Sequence, residues 1–327
     1  MRRTRSLFLL LAAAAAGGFA LLAAGGGCAR SEDVHRFGFR WLGRDVAATV
    51  YLWDRTRTPS PRRVVAGACD SVAAALDPRR PSGELARLAA APPGTVAVSP
   101  LLSEALRLLL TPPLPDRPPL AAVPRWRHDP FRRRVIVRRG GAPSPGLPAA
   151  AAARVTDLAA GLAVDLAVTT LRDTLGVSRA VLQVGDTGYR LGTAPGGAPW
   201  PVAVTTPGGD TLAVLPLVNR AVARFGVPPA GESAGDGGGG DTSGHAPGRG
   251  LVIARRAARA AQAAAALARL PAAELVAYLA GHTTGTGTAV ALPDTAAPAG
   301  WRLLVDPATR RRLRRVRRGV AVSTIGP

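Results

Sequence analysis

The residues of this chain best placed for chemistry are Gly185, Asp186 and Thr187. The apolar sequence Ala180–Val184 reads as a buried strand that delivers a glycine, a carboxylate and a hydroxyl to its C-terminal edge. Backbone groups and short polar side chains at such an edge commonly bind ligands, and the same residue types serve equally well as a turn. Upstream, the Thr156 hydroxyl and the Asp157 carboxylate suit the cap of a helix N-terminus. Familiar catalytic signatures are missing. The chain has no Lys, which excludes a phosphate-binding P-loop. "GTGTAV" (Gly285–Val290) lacks a third glycine and precedes strand-like rather than helical sequence. His35, His128, His245 and His282 are too dispersed for a metal motif, and Cys28 and Cys69 give no zinc spacing. No Gly-x-Ser-x-Gly elbow supports a Ser-His-Asp triad, which composition alone leaves open.

The element that must position these groups is a helix followed by a strand. Leu158, Leu162, Leu166 and Leu175 fall near helical spacing, with alanines between them, and Gly176 fits the left-handed residue past the helix end. Around this unit the pattern predicts a strand at Asp45–Trp53 and helices over residues 61–76 and Pro100–Leu110. Further strands are predicted at Arg134–Arg138, Trp200–Thr205 and Thr211–Leu215. Residues 112–124 are Pro-rich, and residues 227–250 form a Pro/Gly/Ser/Asp loop that is not a phosphate loop. "LVIARRAARAAQAAAALARL" reads as a short strand leading into a long Ala-rich helix. A small helix and strands at "TAVAL" and "WRLLVD" follow. Helices and strands mix without regular alternation, which favours an α+β fold over a doubly wound sheet.

At 327 residues, 47% of them hydrophobic, the chain can bury a large core, but with 4% aromatics that core must be built from Ala, Val and Leu. The net charge of +21 comes with no Lys and a single Asn, Asn219, the composition of a very GC-rich coding sequence. The arginines are scattered, so nucleic acid is not an expected partner. The exception is the stretch Asp306–Gly319, with seven Arg, which suits either a solvated helix end or contact with anionic lipid headgroups. At the other end, Arg2, Arg3 and Arg5 precede an apolar run from Leu7 to Ala24 and then "GGGCAR". This pattern predicts an exported lipoprotein cleaved and lipidated at Cys28; an ordinary signal peptide and a single membrane anchor are the alternatives. With Cys28 lipidated, Cys69 has no disulfide partner and is expected as a buried thiol.

From about Phe37 to Val305 the chain resembles the FAD:protein FMN transferases, the ApbE family. "FRWLGRDVAATVYL" resembles the family's opening strand, with Gly43 kept. "SGELARL", with Ser82, Glu84, Leu85, Arg87 and Leu88, is similar to its Ser-Glu-Leu-Ser-Arg-Leu-Asn helix region. "LAAGLAVDLAVTTLRDTLGVSRAVLQVGDTGYRLG" resembles its central helix and Gly-Gly-Asp strand, and "SGHAPGRG" its His-containing turn, with His245 and Gly250 kept. The resemblance implies a single domain over residues 29–327 after a leader over residues 1–28. Its fold would be an α+β, T-fold-type mixed sheet with packed helices. The implied activity splits the pyrophosphate of FAD and moves FMN onto a Thr or Ser of an acceptor flavoprotein subunit, with Mg²⁺ neutralising phosphate charge. Site residues follow: Asp186 and His245 catalytic, Glu84, Gly185 and Thr187 at the flavin nucleotide, and Asp157 at the metal, each also open to a turn, cap or solvated role. The departures, chiefly at the metal, leave a catalytically inactive flavin-binding or interaction lipoprotein as the alternative. Ala261 and Ala265 stand where the family has its metal-binding Asp and Thr, Ala160 replaces a Lys or Glu, and Asp186 falls one position early.

Overall fold

The computed structural model describes residues 32–53, 59–111, 126–138, 149–227, 248–281 and 287–324. Cys28, His245, the apolar run Leu7–Ala24, the Pro-rich segment and most of the Gly-rich loop lie outside them. The chain opens with the hairpin β1 (Asp33–Trp41) and β2 (Arg44–Leu52). Leu42 and Gly43 both take positive φ, +48° and +76°, in the two-residue turn between them, the geometry that matches strand twist in a tight hairpin. Helices α1 (Pro61–Leu76), α2 (Glu84–Ala90) and α3 (Pro100–Leu110) follow, with β3 (Gly94–Ala97) between the last two. Then come β4 (Trp126–Asp129), β5 (Arg134–Val137) and the long helix α4 (Ala149–Leu175). The remaining strands before the second half are β6 (Arg179–Val184), β7 (Thr187–Leu191), β8 (Trp200–Thr205), β9 (Thr211–Leu217) and β10 (Arg220–Val227). The chain ends with β11 (Gly248–Ala254), α5 (Ala257–Leu267), α6 (Ala272–Gly281), β12 (Gly287–Pro293), β13 (Trp301–Val305), α7 (Pro307–Arg312) and β14 (Ala321–Thr324).

Nine strands make the main sheet, in the order β1-β2-β6-β7-β10-β11-β12-β13-β14. Every pairing is antiparallel except β13 with β14, so the fold is α+β with a mixed sheet, as expected. One face carries Val46, Ala48, Val50, Leu182, Val184, Ala223 and Val252, and it packs against α1, α4 and α5 in the larger core. The opposite face carries Val222, Leu251, Ile253, Ala289, Leu303 and Val305, covered by the separate β8–β9 ribbon through Val202, Val204 and Leu215. A third sheet, β3-β5-β4, stands apart.

Alanine decides how closely the helices pack. α5 buries Ala257, Ala258, Ala260, Ala261 and Ala264, and α4 buries Ala159, Ala160, Ala163 and Ala167. Where the two cross, a Cβ on Gly161 would lie 2.6 Å from Ala258 Cα and 2.7 Å from Ala257 O, so only glycine fits. Cys69 is a buried free thiol on α1, as expected; burial and neighbouring Asp70 push it up to about 12.

Several expectations need correction. α4 begins at Ala149, so Thr156 and Asp157 lie inside the helix and do not cap it. Its C-terminus is as predicted. Gly176 takes φ +63°, and the amides of Gly176 and Val177 donate to the carbonyls of Arg172 and Leu171. The strand before the Gly-Asp-Thr turn alternates rather than being buried on both faces. The Ala-rich helix stops at Leu267, short of Pro271. The Arg-rich stretch is helical over only six residues; beyond them Arg314 exchanges backbone hydrogen bonds with Val214 and Arg317 donates one to Leu212. No described helix is long and apolar enough to cross a membrane.

Candidate functional site

The Gly185–Asp186 pair is the two-residue turn of the β6–β7 hairpin, with Val184 opposite Thr187. Gly185 has φ +54°, a conformation glycine adopts without strain. Three of the four backbone polar groups of the turn are engaged. Gly185 N donates to Asp45 O at 2.9 Å, Gly185 O accepts from Gln183 Nε2 at 2.7 Å, and Asp186 O accepts from Arg224 N at 3.0 Å. The Asp186 side chain is exposed, whereas Thr187 is buried on the helix-facing side of the sheet.

Asp157 meets this turn through an arginine. Arg44, the first residue of β2, donates from Nη2 to Asp157 Oδ1 at 2.5 Å. The same side chain lies along Gly185, where an added Cβ would sit 3.3 Å from its Cδ and Nη1. The tertiary structure therefore does bring Asp157 and the Gly-Asp-Thr turn to one place, and Arg44 occupies the carboxylate that was expected to face a metal. Glu84 is engaged as well. It accepts from Ser99 N at 2.5 Å and from Ser99 Oγ at 2.6 Å, while Ser99 Oγ accepts from Leu102 N and caps α3. Ala261 is buried and Ala160 is fully buried, and neither side chain offers an oxygen.

A polar junction that sequence reasoning did not assemble lies where α3, α4 and α5 meet. Asp165 of α4 accepts from the amides of Ala257 at 2.7 Å and Ala258 at 3.1 Å. It thus caps α5 from 92 residues away and satisfies two of the donors a helix start leaves free. Burial raises the Asp165 carboxyl above its ordinary range, against those hydrogen bonds and Arg256. Glu104 of α3 accepts from Arg107 Nε at 2.7 Å and Nη2 at 2.8 Å, and from Arg256 Nη1 at 2.7 Å. The hydrogen bond from Arg107 is the main force holding its carboxyl below the ordinary value. Gln262 ties α5 to the carbonyls of Leu108 and Thr111. The one local signal was the i, i+3 spacing of Glu104 and Arg107. A Ser–His pair is also present, Ser103 Oγ lying 2.9 Å from His128 Nε2. Ser103 is 5% exposed, and neighbouring Asp129 accepts from the amides of Phe131 and Arg132. Burial lowers the His128 pKa. This pair ties β4 to α3, and among the described residues no carboxylate hydrogen-bonds to His128.

These arrangements bear on the expected Mg²⁺. A divalent ion of this kind needs several oxygen ligands. Among the described residues, no group of three or more His, Cys, Asp or Glu could hold a metal ion, and Asp157, Glu104 and Asp165 are all paired with arginine. Of the described carboxylates near this turn, Asp186 alone is free of an arginine partner, so no cluster of acidic donors is assembled there.

The sequence matches no protein-family model and no curated protein. The fold does have solved counterparts. A flavin transferase ApbE from Vibrio cholerae superposes with a TM-score of 0.62 at 14% identity, covering 86% of this chain and 100% of that one. The apo form of the Pseudomonas stutzeri flavinyl transferase ApbE gives 0.60 at 16% identity, covering 86% and 98%. The ApbE protein of Thermotoga maritima gives 0.58 at 15% identity, covering 86% and 100%. This chain thus has the fold of the ApbE flavin transferases over nearly their whole length.

Proposed function

We propose that this chain is a diverged relative of the flavin transferases that binds a flavin nucleotide, FAD in the first instance, without metal-dependent transfer of FMN. The fold likeness, which spans 98–100% of the flavin and flavinyl transferases it matches, supports the flavin. The reading without transfer is supported by the pairing of Asp157 with Arg44, together with alanine at positions 261 and 265. A loose phosphoryl transition state gains most of its stabilisation from positioned cations, and the Asp157 carboxylate that would help hold one is engaged by Arg44. Active transfer of FMN from FAD to a Thr or Ser of an acceptor flavoprotein subunit is the competing reading, which the fold alone favours. The chain is further proposed to be exported and tethered to the membrane by a lipid on Cys28, with no role in nucleic-acid binding.

The test is a titration of the purified full-length protein with FAD, read by flavin fluorescence polarisation, followed by incubation with Mg²⁺ and a Thr-containing acceptor peptide. The expected result is saturable polarisation and an unlabelled peptide by mass spectrometry. A peptide heavier by one FMN establishes the transferase instead, and the lack of FAD binding removes the flavin reading altogether.

A further inference from the structure

The sheet face turned away from the helices is covered by the β8–β9 ribbon only over its second half. Over β1, β2, β6 and β7 it is an open concavity of about 720 Å³, within the range of roughly 300–1,000 Å³ typical of small-molecule sites. Arg36, Arg190 and Arg224 line it, with Thr49, Val181 and Gln183 between them. Among the described residues, none of these three arginines forms an ion pair; Arg190 donates only to Tyr189 O, at 3.4 Å.

The arrangement is costly as it stands. Arg190 lies directly opposite Arg220 in the β7–β10 register, and like charges facing each other across a sheet destabilise it. Burial, with Arg224 nearby, pulls the Arg190 pKa down to about 10. Arg220 donates to Asn219 O and so finds a neutral partner, but nothing described neutralises Arg190 or Arg224. Arg190 and Arg224 are half-buried, and cations withdrawn from water are ordinarily paired. A ladder of unpaired arginines in a ligand-sized concavity needs an anion, and a guanidinium matches phosphate oxygens in a two-pronged geometry. Arg36 on β1 stands three strand spacings from β7, about 14 Å, and the Thr49 hydroxyl lies between.

We propose that this groove is a binding site for a phosphate-bearing small molecule, its phosphate held between Arg190 and Arg224 and its far end reaching Arg36. The site goes beyond the flavin reading. It uses the opposite face of the sheet from α4 and α5 and none of Asp157, Glu84 or Thr187, sharing only Gly185 at its edge. The phosphate belongs either to a soluble metabolite or to a lipid headgroup, and the two sources separate experimentally.

The experiment titrates full-length protein with sodium pyrophosphate by isothermal calorimetry and compares Arg224→Gln, Arg190→Gln and, as a charge-matched control, Arg315→Gln in the C-terminal tail. Saturable binding is expected in the wild type and in Arg315→Gln, weakened at least about tenfold in both groove variants. A parallel arm measures binding to phosphatidylglycerol and phosphatidylcholine vesicles. Sensitivity of phosphatidylglycerol binding to Arg224→Gln, without pyrophosphate binding, assigns the phosphate to a headgroup. Arg190→Gln is also expected to melt higher than the wild type without ligand, because it removes a half-buried charge facing Arg220; Arg224→Gln carries the test where Arg190→Gln fails to fold. Equal losses in the groove and tail variants, or no saturable binding to either probe, overturn the proposal. Neither outcome depends on FAD, so failure here leaves the flavin reading standing, and loss of FAD binding leaves this one.

Discussion

Replacing Gly161 by alanine is expected to destabilise the protein, reversing the sign that the same change has in an open helix. Glycine inside a helix costs about 1 kcal/mol relative to alanine, so helix propensity alone favours the substitution. At Gly161 the added Cβ would stand 2.6 Å from Ala258 Cα, 2.7 Å from Ala257 O and 2.8 Å from Ala257 C. All three atoms are backbone and cannot rotate aside. Reaching ordinary contact at 3.4 Å requires α4 and α5 to part by about 0.8 Å at their crossing. That movement also strains the Asp165 hydrogen bonds to Ala257 and Ala258. Overpacking of this kind costs about 3 kcal/mol at the upper end of its range, which leaves a net loss of about 2 kcal/mol after the gain in propensity. Gly67 supplies the control. It lies within α1, and a Cβ there meets nothing within 4 Å, so Gly67→Ala should gain up to about 1 kcal/mol. Urea denaturation of the two variants beside the wild type measures both. A Gly161→Ala protein as stable as the wild type, in the same series where Gly67→Ala gains, refutes the close crossing of α4 and α5.

Three other outcomes are expected. Glu104→Gln should lose about 1–2 kcal/mol at pH 7, because charged hydrogen bonds to Arg107 and Arg256 become neutral ones. The Glu104 pKa is lowered in the fold from its ordinary 4.5, so its contribution is present above that value and disappears as pH falls through the lower folded one; urea midpoints of variant and wild type should converge below about pH 4.5. Cys69, pushed up to about 12 by burial, should resist alkylation by iodoacetamide at pH 8 in the native protein and react fully in urea, as read by peptide mapping. Asp157→Asn removes a half-exposed ion pair and should cost less than about 1 kcal/mol, with no change in how Mg²⁺ shifts the melting temperature; loss of a Mg²⁺ response would restore Asp157 as a metal ligand.

What the sequence determined by itself was local. Helices α1 and α3 were legible to the residue because each announces its start with a serine cap followed by proline, Ser60–Pro61 and Ser99–Pro100, and those signals act within one turn. Gly176 marked the end of α4 for the same reason. The start of α4 was not legible, since the run of alanines at residues 149–153 carries no cap and the first polar residues, Thr156 and Asp157, imitate one. The α+β class and the Ala-rich core followed from composition and pattern. Tertiary structure decided the roles of the polar residues. Asp157 finds Arg44, 113 residues away, and Asp165 caps a helix 92 residues away. Arg36, Arg190 and Arg224 share a sheet face only because β1, β7 and β10 are set in register through their neighbours. A carboxylate's chemistry depends on which charge the fold places within a few ångströms of it, and no spacing along the chain encodes that distance.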